Sequence, residues 1–118
     1  MFAGRRFSGM ANHGNIFAEL PLGPLPEEVM AELLSTPNLR IERIVSTGQA
    51  SPANDWFDQD WNEWVILLRG RARLLLEGEP EARSLGPGDY VHILAHRHHR
   101  VLWTDPNQVT VWLAVHYC

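Results

Sequence analysis

The stretch Glu63-Trp64-Val65-Ile66-Leu67-Leu68-Arg69-Gly70 decides the fold of this chain, together with a second stretch that follows after seventeen residues. The second stretch reads Gly88-Asp89-Tyr90-Val91-His92-Ile93-Leu94-Ala95-His96-Arg97-His98-His99. Apolar residues at alternate positions, Val65 and Leu67, predict a strand whose inner face also carries Glu63. By the same period of two, Val101 turns His99 inward. A carboxylate in an apolar interior needs a metal, an arginine or a hydrogen-bond donor, so both residues are candidates for chemistry.

The two stretches resemble the two conserved motifs of the cupin superfamily. These motifs read Gly-x5-His-x-His-x3 or 4-Glu-x6-Gly and Gly-x5-Pro-x-Gly-x2-His-x3-Asn. The resemblance implies a small antiparallel β-barrel of jelly-roll type, in which histidines and a glutamate bind one divalent metal ion. It assigns the glutamate position of the first motif to Glu63 and the histidine position of the second to His99.

The chain departs from the first motif at its paired histidines. The shorter spacing gives Phe57 and Gln59, and the longer spacing gives Trp56 and Asp58. Three positions of the second motif also differ, with Leu94, His96 and Trp103 in place of proline, glycine and asparagine. The resemblance therefore makes Gln59 the candidate third metal ligand and Asp58 its alternative. Because both histidines of the first motif are lost, we expect zinc, iron, manganese or nickel to bind weakly or substoichiometrically.

Four histidines in eight residues invite a second metal hypothesis. His96 and His98 offer replacement ligands, as does His92, but they belong to a loop or to the opposite face of their strand. Only His99 falls on a ligand position of the family. We therefore interpret the others as a surface turn, with a ligand role for His96 or His98 as the alternative.

Composition narrows the classes of function. The chain has 118 residues, 45% of them hydrophobic, which is enough for one domain with its own core. Its ten basic residues are all arginines scattered along the sequence and the net charge is −4. We therefore do not expect the protein to bind nucleic acid. The apolar runs are too short to cross a membrane. One cysteine, Cys118, excludes an internal disulfide, and with no leader-like segment we expect a cytoplasmic protein.

The chain divides into three parts. Residues 1–9 show no hydrophobic period and predict a flexible tail, with Met10 as an alternative start. Residues 10–38 form an N-terminal arm, and within it residues 27–34 predict a short helix with acidic residues in its first turn. Residues 39–118 form the barrel, because short strands recur at regular spacing between turns. The predicted strands cover residues 39–45, 63–68, 71–76, 90–94, 99–103 and 109–115.

Five tryptophans are many for so short a chain. Trp64 and Trp112 are assigned to the core or to a subunit interface, where aromatic residues are enriched. The others, Trp56, Trp61 and Trp103, are left open between those places and the wall of a ligand pocket. Small barrels also have sheet edges that pairing can cover, so we expect a homodimer.

Two hypotheses for function follow. The first is a barrel-interior site for a small polar molecule, assisted by a divalent metal on Glu63, His99 and either Gln59 or Asp58. The second is a metal-free cupin that binds a ligand, senses it or acts as an accessory protein without catalysis. Hydrolase triads and nucleotide chemistry find no motif in the sequence.

Overall fold

The structure is a computed structural model that describes residues 5–8 and 12–118. Nine strands lie within these residues: β1 (Arg5–Ser8), β2 (Val29–Thr36), β3 (Leu39–Ser46), β4 (Asn62–Arg69), β5 (Ala72–Leu76), β6 (Arg83–Leu85), β7 (Tyr90–Ile93), β8 (His99–Thr104) and β9 (Thr110–Tyr117). They form a six-stranded sheet in the order β1-β2-β3-β9-β4-β7 and a three-stranded sheet in the order β6-β5-β8. Apart from the parallel pair β1-β2, all neighbouring strands are antiparallel. This confirms the predicted all-β, jelly-roll architecture.

Alternation of buried and half-exposed residues marks the inner face of the large sheet along β4 and β9. Glu63, Val65 and Leu67 of β4 are buried, and each faces a buried residue of β9 across the ladder. The facing partners are His116, Ala114 and Trp112, in that order. A shift of one residue would turn every one of these side chains to the outside, so burial holds the register.

The core fills the space between the two sheets. Its buried apolar members come from the eight strands β2 to β9: Met30, Ile44, Val65, Leu67, Ala72, Leu74, Leu76, Leu85, Val91, Ile93, Val101, Trp112 and Ala114, with the segment before β4 adding the half-buried Phe57. Trp112 is fully buried and its indole N–H donates to Ser46 Oγ at 3.2 Å, so the polar tip of this ring is satisfied. The assignment of Trp112 to the core is confirmed.

Steric constraints explain why a glycine ends the first motif. Gly70 has a φ of +94°, and a Cβ at this position would overlap Thr110 of β9. A side chain would be strained in both respects. Gly70 therefore lets β4 turn into β5 while β9 passes close by.

The predicted helix over residues 27–34 is wrong, because Val29–Thr36 form strand β2. β2 pairs antiparallel with β3, and its register shifts between Glu32 and Leu34. Before this bulge Met30 points into the core, whereas Leu33 and Leu34 are exposed. Because of the bulge, the apolar residues of this strand recur at a spacing like that of an amphipathic helix. Pairing with β3 overrides the local preference of the segment for a helix. No helix long and apolar enough to cross a membrane occurs in the described part of the chain.

The segment predicted as a flexible tail contributes the edge strand β1. Arg5–Ser8 pair in parallel with β2, starting at Val29. The other residues among 1–9 lie outside the described part of the chain. The small contribution expected of this segment to stability stays a prediction.

Candidate functional site

Glu63 and His99 meet inside the barrel from opposite sheets. Glu63 lies near the start of β4 in the large sheet, and His99 opens β8 in the small one. Both are buried, with 0% and 1% of the side chain exposed, and Glu63 Oε1 lies 3.7 Å from His99 Nε2. Strand parity therefore brings the two motif residues to one point in the interior.

The hydrogen bonding of His99 identifies its tautomer. His99 Nδ1 lies 3.1 Å from the carbonyl oxygen of Arg97, which can only accept, so Nδ1 carries the proton. Burial lowers the pKa of His99 below its ordinary value of 6.5, which keeps the imidazole neutral. Nε2 therefore presents a lone pair to Glu63.

The facing atoms are all acceptors without a donor between them. Within residues 12–118, neither carboxylate oxygen of Glu63 nor Nε2 of His99 has a hydrogen-bond partner. Leaving such buried groups unpaired is costly, by about 1–3 kcal/mol each. A cation, or a ligand that donates hydrogen bonds, would satisfy both residues at once.

A metal ion fits the separation of the pair. Zinc binds imidazole nitrogen and carboxylate oxygen at about 2.0–2.2 Å, so one ion can bridge atoms up to about 4 Å apart. The 3.7 Å between Oε1 and Nε2 falls inside that limit. However, no group of three or more histidine, cysteine, aspartate or glutamate side chains among the described residues is placed to hold a metal.

The segment before β4 covers the site along β8. Phe57 and His99 form an isolated antiparallel bridge, in which the Phe57 N–H donates to the His99 carbonyl oxygen at 2.8 Å. The Phe57 ring lies 5.8 Å from the imidazole, between ring centres. An aromatic ring thus stands against His99 at a position where the family motif has a histidine. Gln59, two residues on, accepts the N–H of His96 through its backbone oxygen.

Asp58 belongs to a surface cluster, which we define as Asp58, Glu77, His96 and His98. Asp58 Oδ1 lies 2.7 Å from His96 Nδ1, and Oδ2 lies 3.1 Å from His98 Nε2. These hydrogen bonds hold the pKa of Asp58 below its usual value, and the hydrogen bond with His96 contributes the most. Glu77 lies 2.8 Å from His98 Nδ1, and its hydrogen bond raises the pKa of His98, with a further contribution from Asp58. The structure therefore separates Asp58, His96 and His98 from the interior pair.

Sequence reasoning missed two residues that stand in one row with Glu63, and a third, Glu42, that lies against both of them. His116 of β9 stands directly opposite Glu63, and Arg40 of β3 stands directly opposite His116 on the other side. His116 is 3% exposed, and its Nε2 lies 3.3 Å from Glu42 Oε1. The same oxygen accepts a hydrogen bond from Arg40 Nε at 3.0 Å. The period of two in β9 carried a signal, since His116 shares parity with Trp112. No motif drew attention to it.

The remaining tryptophans lie on outer or rim surfaces. Trp61 lies against the Arg40 guanidinium, whose central carbon is 5.9 Å from the ring centre, and Trp56 lies similarly against Arg100 at 5.8 Å. Trp64, on the outer face of β4, is half-buried and packs on Tyr90. Trp103 is partly exposed. Only Trp61 among these four belongs to the rim that includes Arg40.

A cavity of about 610 Å³ lies elsewhere, on the outer face of the large sheet. The segment before β2 arches over it, and Arg43 donates from Nη1 to the carbonyl oxygens of Ile16 and Ala18. Its floor is mostly apolar, with Leu33 and Leu113 among the lining residues. None of the described residues that line this cavity has a buried side-chain polar atom without a hydrogen-bond partner, in contrast to Glu63 and His99.

Comparison with known proteins gives structural relatives only. No protein-family model and no curated protein sequence matches the chain. A candidate mannose-6-phosphate isomerase from Ralstonia eutropha JMP134 is 47% identical, covering 91% of this chain and 98% of its own, with a TM-score of 0.88. A cupin superfamily protein from Desulfitobacterium hafniense DCB-2 has a TM-score of 0.70 at 14% identity, over 91% and 92% of the two chains. An RmlC-like cupin family protein from Methanocaldococcus jannaschii, with a double-stranded β-helix fold, reaches 0.62 at 19% identity, over 76% and 79%. The resemblance drawn from the two motifs is confirmed.

Proposed function

This chain belongs to the cupin superfamily, and from that premise we propose that its barrel interior binds a small polar molecule with the help of a divalent metal ion. Glu63 and His99 would hold the ion, with Gln59 as the third protein ligand. When bound, the metal would supply a Lewis acid that polarises an oxygen of the ligand. The chain's own residues bind, orient and shield that ligand from water.

One observation carries the proposal. Two buried acceptors, the Glu63 carboxylate and the lone pair of His99 Nε2, face each other at 3.7 Å, and no described residue donates a hydrogen bond to either. The Arg97 carbonyl oxygen holds the proton of His99 on Nδ1, and this is the state in which an imidazole binds a metal. A nitrogen and carboxylate donor set suits zinc, iron, manganese or nickel.

The relative from Ralstonia eutropha JMP134 suggests one class of ligand. It is a candidate mannose-6-phosphate isomerase, and a sugar phosphate is a small polar molecule. Sugar hydroxyls would donate to Glu63 and offer oxygens to a metal. We therefore include phosphorylated sugars among the ligands to be tested.

A metal-free cupin that binds, senses or assists is the second candidate. It is favoured by the absence, among the described residues, of any group of three acidic, histidine or cysteine ligands. It is also favoured by Phe57, whose ring lies against His99 where a ligand histidine would stand. In this case a hydrogen-bond donor of the ligand would take the place of the metal between Glu63 and His99.

Calorimetric titration of tag-free, chelator-treated protein with Zn²⁺, Mn²⁺ and Ni²⁺ tests the metal. We expect one weak site that disappears in Glu63→Gln and His99→Ala and persists in His98→Ala, the matched control in the surface cluster. Gln59→Ala should weaken the site without removing it. Binding that survives Glu63→Gln, or that disappears in His98→Ala, would contradict the interior metal site and leave the metal-free candidate.

A further inference from the structure

We propose that Arg40 binds the anionic group, a carboxylate or a phosphate, of a small ligand whose other end reaches Glu63 and His99. The inference rests on the interior site proposed above. Its structural basis is the register of the large sheet, in which Arg40, His116 and Glu63 stand directly opposite one another on β3, β9 and β4. Side chains opposite one another on neighbouring strands lie on one face, so the three form one row across the barrel wall.

Most of the hydrogen-bond donors of Arg40 are not used by the described residues. In the described part of the chain its hydrogen bond is made by Nε alone, to Glu42 Oε1 at 3.0 Å. A guanidinium has five N–H donors, so the four on Nη1 and Nη2 remain for a ligand. The side chain is 38% exposed and its guanidinium lies against Trp61, which orients it at the rim. A fork of this kind matches the oxygens of a carboxylate or phosphate.

The row also limits the size of the ligand. Adjacent strands lie about 4.8 Å apart, so the backbones of β3 and β4, with β9 between them, are separated by about 10 Å. The side chains of Arg40 and Glu63 project from the same face of the sheet, on either side of His116. A ligand that joins them is therefore a compact one, with the anionic group a few bonds from its hydroxyl or carbonyl oxygen.

Three related probes test the assignment by calorimetry on the full chain, with and without one equivalent of Zn²⁺. Glycerol is neutral, glycerate carries a carboxylate and glycerol 3-phosphate carries a phosphate. We expect at least one anion to bind about tenfold or more tightly than glycerol, and Arg40→Gln to remove that difference. The preferred anion distinguishes the carboxylate from the phosphate. Arg73→Gln, an exposed arginine of the other sheet, is the matched control and should change nothing.

The outcomes separate this inference from the proposed function. Zn²⁺ affinity should stay within about twofold in Arg40→Gln, because Arg40 is not a metal ligand. If Zn²⁺ fails to bind the native protein, the metal proposal fails. The titrations without Zn²⁺ still test whether Arg40 binds the anionic group. Equal binding of glycerol and both anions, no binding of either anion, or unchanged anion binding in Arg40→Gln would overturn the inference. If Arg40→Gln does not fold, Arg40→Lys is used, and it should keep the preference for an anion with weaker binding.

Discussion

Replacing Glu63 by glutamine should stabilise the metal-free protein. Glu63 and His99 are both buried, and their facing atoms at 3.7 Å are acceptors. The Nε2–H of a glutamine could donate to His99 Nε2, which carries no proton because the Arg97 carbonyl oxygen accepts from Nδ1. The substitution removes an unpaired buried carboxylate and adds a hydrogen bond.

The size of the effect follows from the burial of the pair. Relieving an unsatisfied buried group of this kind contributes about 1–3 kcal/mol to the free energy of unfolding. An unfolding entropy of about 2.1 cal/mol/K per residue gives roughly 4 °C per kcal/mol for a domain of this size. We therefore expect the melting temperature of Glu63→Gln to rise by about 4–12 °C in the presence of a chelator.

This change in stability can be measured by thermal and urea unfolding, monitored by circular dichroism with and without Zn²⁺. A ligand at a hundred times its Kd stabilises by about 2.7 kcal/mol, so saturating Zn²⁺ should stabilise the native protein alone and abolish or reverse the advantage of Glu63→Gln. Glu77→Gln is the control, because Glu77 is an exposed partner of His98, and we expect a change within about 1 kcal/mol. A chelated Glu63→Gln protein less stable than the native one, or one stabilised equally by Zn²⁺, would refute the reasoning.

Three further predictions concern the surface, the assembly and the N-terminal segment. The pKa of His98, measured by NMR titration, should exceed 6.5 and should fall in Glu77→Gln. The stabilisation from the hydrogen bond between His98 and Glu77 is therefore present at low pH and is lost as the pH rises through the folded pKa. A value at or below 6.5 would count against the surface cluster. Light scattering should give the mass of a homodimer, and a monomer at micromolar concentration would contradict it. Starting the chain at Met10 removes β1, a four-residue strand at the edge of the sheet, and should lower the melting temperature by no more than about two degrees. A much larger loss or a change to monomer would indicate an arm exchanged between subunits.

The sequence predicted the interior pair because strand parity is local. Glu63 shares its face with Val65 and Leu67, and His99 shares its face with Val101, so the period of two was enough to turn both inward. The family motifs then indicated that the two strands lie across one barrel. The strands predicted from residue 39 onward were confirmed for the same reason.

The errors and omissions came from long-range pairing. The acidic first turn and the spacing of Met30 and Leu34 fit a helix as well as they fit a bulged strand, and only pairing with β3 decides between them. His116 and Arg40 join the site because β9 lies between β3 and β4, and no local pattern reveals that order. The partners of His96 and His98, Asp58 and Glu77, likewise come from distant parts of the chain.

The most direct test is a crystal structure of tag-free protein soaked in Mn²⁺ or Zn²⁺, with anomalous difference maps collected at the absorption edge of the metal. We expect a peak between Glu63 Oε1 and His99 Nε2, with both ligand distances near 2.0–2.2 Å. A peak only at the surface cluster of Asp58, Glu77, His96 and His98, or none in the interior of a fully soaked crystal, would contradict the interior metal site.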